Sequence, residues 1–181
     1  MIKGCMRCGN CCTRFGVCVT PSDLMRIAQA TGKKPGSFVS VVPEPLERER
    51  EEPAILVHGE PSLLVLKRQA GNVCIFYNGE GCGVYGFRPM LCRTYPFRLE
   101  GSSLIDMRSR ACPERWQPSA KEKKRYAEDC RRYESEVRAY KETAQRWNQK
   151  GGGLESFLAF ALASASHDPE FRIAKAIETH K

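Results

Sequence analysis

Cys5, Cys8, Cys11 and Cys12 stand in the order C-x2-C-x2-C-C within the first twelve residues of the chain. No other segment restricts the fold as strongly. A C-x2-C pair lets one short turn carry two sulfurs to a common ion, while the intervening amides point at the sulfurs and spread their charge. A third cysteine at the same interval gives the C-x2-C-x2-C run that wraps three corners of a cubane cluster, with the last corner supplied from a distance. Adjacent Cys11 and Cys12 cannot both turn toward one ion without strain. One of them is therefore expected to face a different metal or a different cluster edge, which leaves room for two centres.

Four further cysteines, Cys74, Cys82, Cys92 and Cys112, follow with 7, 9 and 19 residues between them. They supply enough thiolate for a second half-site or a complete second site. Cys112 precedes Pro113, the Cys-Pro dipeptide that ends ferredoxin-type runs, but Cys74, Cys82 or Cys92 would serve as the remote ligand equally well.

Ten cysteines in 181 residues would also suit a disulfide scaffold. Such scaffolds are usually short chains that cannot build a core, and this chain is long enough to bury one. Residues 1–12 hold no apolar run of the kind a secretory segment needs, so the chain is expected in the cytoplasm, where thiols stay reduced. The longest apolar stretch, residues 154–165, contains Glu155, Ser156 and Ser164 and is too short to span a bilayer, so no membrane is expected as a partner. The net charge of +8 allows an acidic partner. Nucleic-acid binding stays open, although the chain lacks a Lys/Arg-rich run of about five to eight residues and a recognisable RNA-binding aromatic motif. Thiolate clusters carry net negative charge and need cations beside them, and Arg14, Arg88 and Arg93 lie close to the cysteines in sequence.

Beyond the cysteine run, Thr20-Pro21-Ser22-Asp23 reads as an N-cap, a proline at the first helical position and an acidic N3 residue. The pattern predicts a helix over 21–31, with Leu24, Ile27 and Ala28 on its apolar face and Gly32 ending it. Asp23 is read as a cap, not a ligand. The Glu- and Arg-rich stretch between Pro43 and Pro53 is expected to be a loop or short surface helix. Residues 54–58, 62–67 and 73–77 are β-formers separated by the turns 59–61 and 70–72, which predicts a small antiparallel meander carrying Cys74 on its last strand. Cys82 lies in the glycine-rich loop 78–83, where a permissive backbone can wrap an ion. A further strand is expected over 103–107. The sheet is too small for a dinucleotide crevice, and His58, His167 and His180 are too scattered to make a site.

From Cys82 onward the chain reads C-x-x-Y-x-x-RP-x-x-CR-x-YPF, through Tyr85, Arg88, Pro89, Cys92, Arg93, Tyr95, Pro96 and Phe97. Together with the opening run and the strand that begins at Cys74, residues 5–112 resemble the cysteine-cluster CxxCxxCC family of zinc- or iron-chelating domains. The resemblance implies metal ligation by Cys5, Cys8, Cys11, Cys12, Cys74, Cys82, Cys92 and Cys112, and leaves Cys18 and Cys130 outside the pattern. The family includes the flagellin lysine N-methylases, which are larger proteins. Read physically, Pro89 and Pro96 confine residues 89–94 to one or two helical turns that fix Cys92. Arg88 and Arg93 would then flank its thiolate, and Tyr95 could donate to sulfur or to a bound group. The alternative is that Tyr85, Phe87, Tyr95 and Phe97 pack around the ligand loop.

After Cys112 the residues become helix formers. Ser119 and Glu122 make a capping box, and Tyr126, Cys130, Tyr133, Val137, Tyr140, Ala144 and Trp147 then recur at intervals of four and three. One long amphipathic helix to about residue 150 follows, broken by Gly151-Gly152-Gly153. Residues 154–165 return as a second helix, and a last helix starts at Asp168-Pro169. Cys130, on the seam, is expected to be a buried small hydrophobe. The tyrosine stripe offers core packing or a protein-partner surface.

The expected fold is therefore α+β: a small antiparallel β-meander with a cysteine-rich metal site (residues 1–117) and a C-terminal helical hairpin (residues 118–181) packed on it. The expected function is binding of an iron-sulfur cluster or zinc through thiolates, in a structural or metal-carrying role. Both metals accept all-sulfur shells, and the C-x2-C-x2-C run favours iron-sulfur, whereas paired C-x2-C knuckles would favour zinc. The alternatives are a protein-modifying methyltransferase or a zinc-stabilised interaction module.

Overall fold

The computed structural model describes residues 8–44, 51–107, 112 and 118–165. Cys5 and the helix expected from Asp168 lie outside the described residues. In chain order the N-terminal elements are α1 (Asn10–Arg14), α2 (Pro21–Thr31), β1 (Val39–Pro43), β2 (Ile55–Val57), β3 (Glu60–Leu66), β4 (Arg68–Gln69) and β5 (Val73–Cys74). They are followed by α3 (Met90–Thr94), β6 (Phe97–Glu100), β7 (Ser103–Asp106), α4 (Ala120–Lys150) and α5 (Leu154–Ala165). The fold is α+β, with small antiparallel sheets and a C-terminal helix pair.

β3 is the centre of the main sheet. Its residues from Ser62 to Leu66 are all buried, as an unbroken apolar run demands of a strand covered on both faces. β1 pairs along one edge, with Ser40 opposite Val65. The other edge is shared: β2 pairs with Glu60–Ser62, and the segment just after the cysteine run pairs farther along, with Cys18 opposite Val65. Val19 N donates to Leu64 O at 3.1 Å, and Leu66 N to Val17 O at 2.9 Å. With both edges filled, the third strand expected of the meander has no place in this sheet. Residues 73–74 instead pair with residues 68–69 in a separate two-stranded ladder, and β1, whose short Val-rich run was not read as a strand, takes the vacant position.

α2 forms as its sequence requires, with a complete Thr20/Asp23 capping box and Gly32 in the left-handed conformation at its end. α4 opens on the Ser119/Glu122 box and buries Tyr126, Cys130, Val137, Tyr140, Ala144 and Trp147. Its C-terminal end covers the free edge of β2. Trp147 Nε1 donates to Leu56 O at 2.8 Å, Asn148 Oδ1 accepts from Leu56 N at 2.8 Å, and Asn148 Nδ2 donates to Ala54 O at 3.2 Å. These bonds satisfy a backbone edge that would otherwise remain open. α5 completes the core with Phe157, Leu158 and Ala161, and the Phe157 ring meets Trp147 edge-on at 5.4 Å. β6 and β7 form a hairpin held on α4 through Phe97 and Tyr126, whose rings lie 4.7 Å apart. Cys130 is 3% exposed, as its place on the seam predicts.

Candidate metal centre

The opening cysteine run is tied to the sheet from two directions. The Val17–Val19 pairing with β3 fixes the chain just after the run, and Arg68, at the start of β4, reaches back to it. The Arg68 guanidinium donates to Phe15 O and, at 3.4 Å, to Cys12 O, while its Nε donates to Asn72 O at 2.7 Å. In the β4–β5 ladder Arg68 lies opposite Cys74. One side chain thus joins the segment bearing Cys11 and Cys12 to the strand bearing Cys74.

The loop after β5 is built to return. Gln69 Nε2 donates to Cys74 O at 3.2 Å and Tyr77 O at 2.8 Å. Asn78 Oδ1 accepts from Glu80 N at 3.1 Å and Gly81 N at 2.9 Å, an Asx turn that brings Cys82 opposite Tyr77. Gly9, between Cys8 and the α1 cysteines, has φ +76°, and a Cβ there would overlap the Tyr77 ring. The two cysteine segments approach closely only because this position carries no side chain.

Cys92 arrives on α3. Its N–H and that of Arg93 both bond to Pro89 O, at 2.9 and 3.0 Å, closing the single turn that the flanking prolines allow. Part of residue 92 is exposed, but its thiol is enclosed, and burial pushes that thiol well above its ordinary value. The charges of Cys11, Cys74 and Cys82 add to the shift. Burial also raises Cys74, assisted by Cys82 and Cys11 and opposed by Arg68. The neighbouring Cys12 thiol lowers Cys11 to about 6 against the opposing effect of burial, with Arg88 contributing, and Cys12 itself is raised. Cys12 also senses Cys74 and Cys92.

Cys11, Cys12, Cys74, Cys82 and Cys92 therefore share one neighbourhood. Cys11 and Cys12 lie side by side at the start of α1, and Cys12 packs against the same core as Cys74, Cys82 and Cys92. Among the described residues, no three His, Cys, Asp or Glu side chains are closed to the spacing that holds a metal ion. The thiols are gathered without forming a coordination shell. Their chemistry still fits a soft or borderline metal, because enclosed sulfurs that repel one another when ionised, with cations beside them, are relieved by a bound cation.

Cys8 is exposed, just ahead of Gly9, and Cys112 is half-buried between β7 and α4. Arg88 lies over the Tyr85 ring at 3.9 Å and donates to Tyr85 O at 2.6 Å, still close enough to act on Cys11. Arg93 pairs with Asp129 of α4 at 3.5 Å, and the Tyr95 ring packs on Phe15 at 5.7 Å.

A family model described as "Putative zinc- or iron-chelating domain", CxxCxxCC, matches residues 4–146. The chain belongs to this family. The CxxCxxCC match takes in the opening run, the β-rich segment, α3 and most of α4. No curated protein matches the chain, and no solved structure does. No helix among the described residues is long and apolar enough to cross a membrane.

Arg68, Gly9 and Tyr77 are the residues that sequence reasoning did not single out. A cation six positions before a strand-borne cysteine carries no signal until the β4–β5 register is known. Gly9 did leave a trace, as a glycine inside a metal run, but the ring that requires it lies far away in sequence.

Proposed function

We propose that the chain binds an iron-sulfur cluster, with zinc as the competing occupant, and that the metal is structural or carried rather than part of a catalytic reaction. Cys11, Cys12, Cys74, Cys82 and Cys92 would hold it, joined by Cys5, Cys8 and Cys112. Arg68 and Arg88 would offset the negative charge of the thiolates. What supports this reading is that Cys12, Cys74, Cys82 and Cys92, from α1, β5, the 78–83 loop and α3, pack on one core, with the Arg68 guanidinium bonded to Cys12 O. Bound metal would supply the cross-link that these short elements lack. Thiolate ligands of this kind need a reducing compartment, and the cytoplasm would supply one.

Anaerobic purification followed by metal analysis and a visible spectrum tests the proposal. Iron with matching acid-labile sulfide and broad visible absorption is the expected result. Stoichiometric zinc in a colourless protein would overturn the iron-sulfur assignment, and protein without zinc or iron would overturn thiolate metal binding altogether. Cys92→Ser and Cys8→Ser should each lower metal content and thermal stability together, because binding and folding of this region are coupled.

A further inference from the structure

Asp23 is completely buried, and its carboxylate serves two helices at once. Oδ2 accepts from Thr20 N at 3.1 Å, closing the α2 capping box. Oδ1 accepts from Met90 N at 2.9 Å, the first N–H of α3 and 67 positions away in sequence. A cap for α2 does not need that second bond. α3 does need it: its N-cap residue is Pro89, which has no side-chain acceptor, and a five-residue helix has no independent stability.

The carboxylate is itself held from behind. Arg26 pairs with Asp23 Oδ1 and reaches Glu136 of α4, Nη1 to Oε1 at 2.8 Å and Nη2 to Oε2 at 3.1 Å. Glu136 also accepts from Thr20 Oγ1 at 3.1 Å and from Arg132 Nε at 3.0 Å. The carboxylate that anchors the start of α3 is therefore built into the α2–α4 contact and cannot drift with the loop. Cys92 is two residues beyond the anchored N–H.

We propose that Asp23 is a positioning residue for the metal centre. By capping α3 from outside, it sets where the Cys92 thiol stands relative to Cys11, Cys12 and Cys74. This inference rests on the thiolate metal site proposed above. It adds a carboxylate that is not a ligand but fixes the approach of the only thiol delivered by α3.

The test is titration of metal-free, reduced protein with cobalt(II) alone, following thiolate-to-cobalt charge-transfer absorption, which scales with the number of sulfurs bound. Asp23→Ala should lose roughly a quarter of that intensity, one thiolate of a four-sulfur shell. It should also weaken cobalt binding about 10- to 100-fold, as loss of an outer-shell partner does. Met90→Pro removes the N–H donor at a position where proline suits the first helical turn, and with it a fully buried side chain, but leaves Asp23 in place, and should show the same loss. Glu136→Gln, which loosens the same network without touching α3, should lower the melting temperature yet leave the cobalt spectrum unchanged. Wild-type intensity and affinity in either Asp23→Ala or Met90→Pro would overturn the positioning role, as would an equal spectral loss in Glu136→Gln. Absence of any sulfur-to-cobalt band in the wild-type protein would overturn the metal site itself, and this inference with it.

Discussion

The two halves of the molecule share one apolar core but differ in how much of each is built from it. Where β1, β3 and β2 meet α2, α4 and α5, the residues that matter are large, apolar and fully enclosed: Trp147, Phe157, Ile55 and Leu24 are each 0% exposed. The helices there run to 31 and 12 residues and are capped or closed by glycine. The thiol-bearing half is made of two five-residue helices and a pair of two-residue strands. Cys74, Phe76 and Val84 seat it on the main core, and its loops are fixed by single polar contacts made by Arg68, Gln69, Asn78 and Asp23. Apolar burial is enough to define the first half. The second half brings ionisable sulfur together, and under the proposed function a bound metal would complete it.

Substitutions should separate the halves in proportion. Trp147→Ala removes the central ring of the core and leaves Leu56 O without its donor, so it should cost about 3–5 kcal/mol in urea unfolding. Metal bound per folded molecule should not change. Gly9→Val introduces a side chain where the Tyr77 ring lies, at a positive φ, with a local strain of about 1–3 kcal/mol. Its main effect should be separation of the two cysteine segments, read as lost metal stoichiometry while the far-ultraviolet signal of α4 persists.

Smaller changes sharpen the contrast. Arg68→Met keeps the bulk of the side chain but not its hydrogen bonds to the opening run, and should weaken metal binding about 10-fold in a chelator competition. Unfolding of the apolar half should barely respond. Cys130→Ala should cost only about 1 kcal/mol and retain full metal content, because Cys130 belongs to the α4 seam. A cysteine substitution is therefore expected to act according to which half carries it, not because it removes a thiol.

The halves also differ in how openly the sequence announces them. The α2 box and the α4 seam are local patterns, written in consecutive residues, and both formed as read. β1 and the true neighbours of β3 were hidden because strand order depends on which segment occupies each edge. Val17–Val19 has no strand signature of its own until Leu64–Leu66 is there to pair with it. In the thiol region, residue types and spacing put eight cysteines forward as ligands, and they revealed Asp23 as a cap. They could not reveal that its other oxygen reaches Met90, or that Arg68 ties Cys12 to the strand of Cys74. Such contacts join residues tens of positions apart and follow from the folded backbone, not from any periodicity.

X-ray absorption at the metal edge of the anaerobically purified protein tests most directly whether thiols from both cysteine segments hold one centre. The account predicts a shell dominated by sulfur at about 2.3 Å, with the sulfur count falling in Cys12→Ser and also in Cys82→Ser. A shell of nitrogen and oxygen alone, or a sulfur count that responds to one of these substitutions and ignores the other, would contradict it.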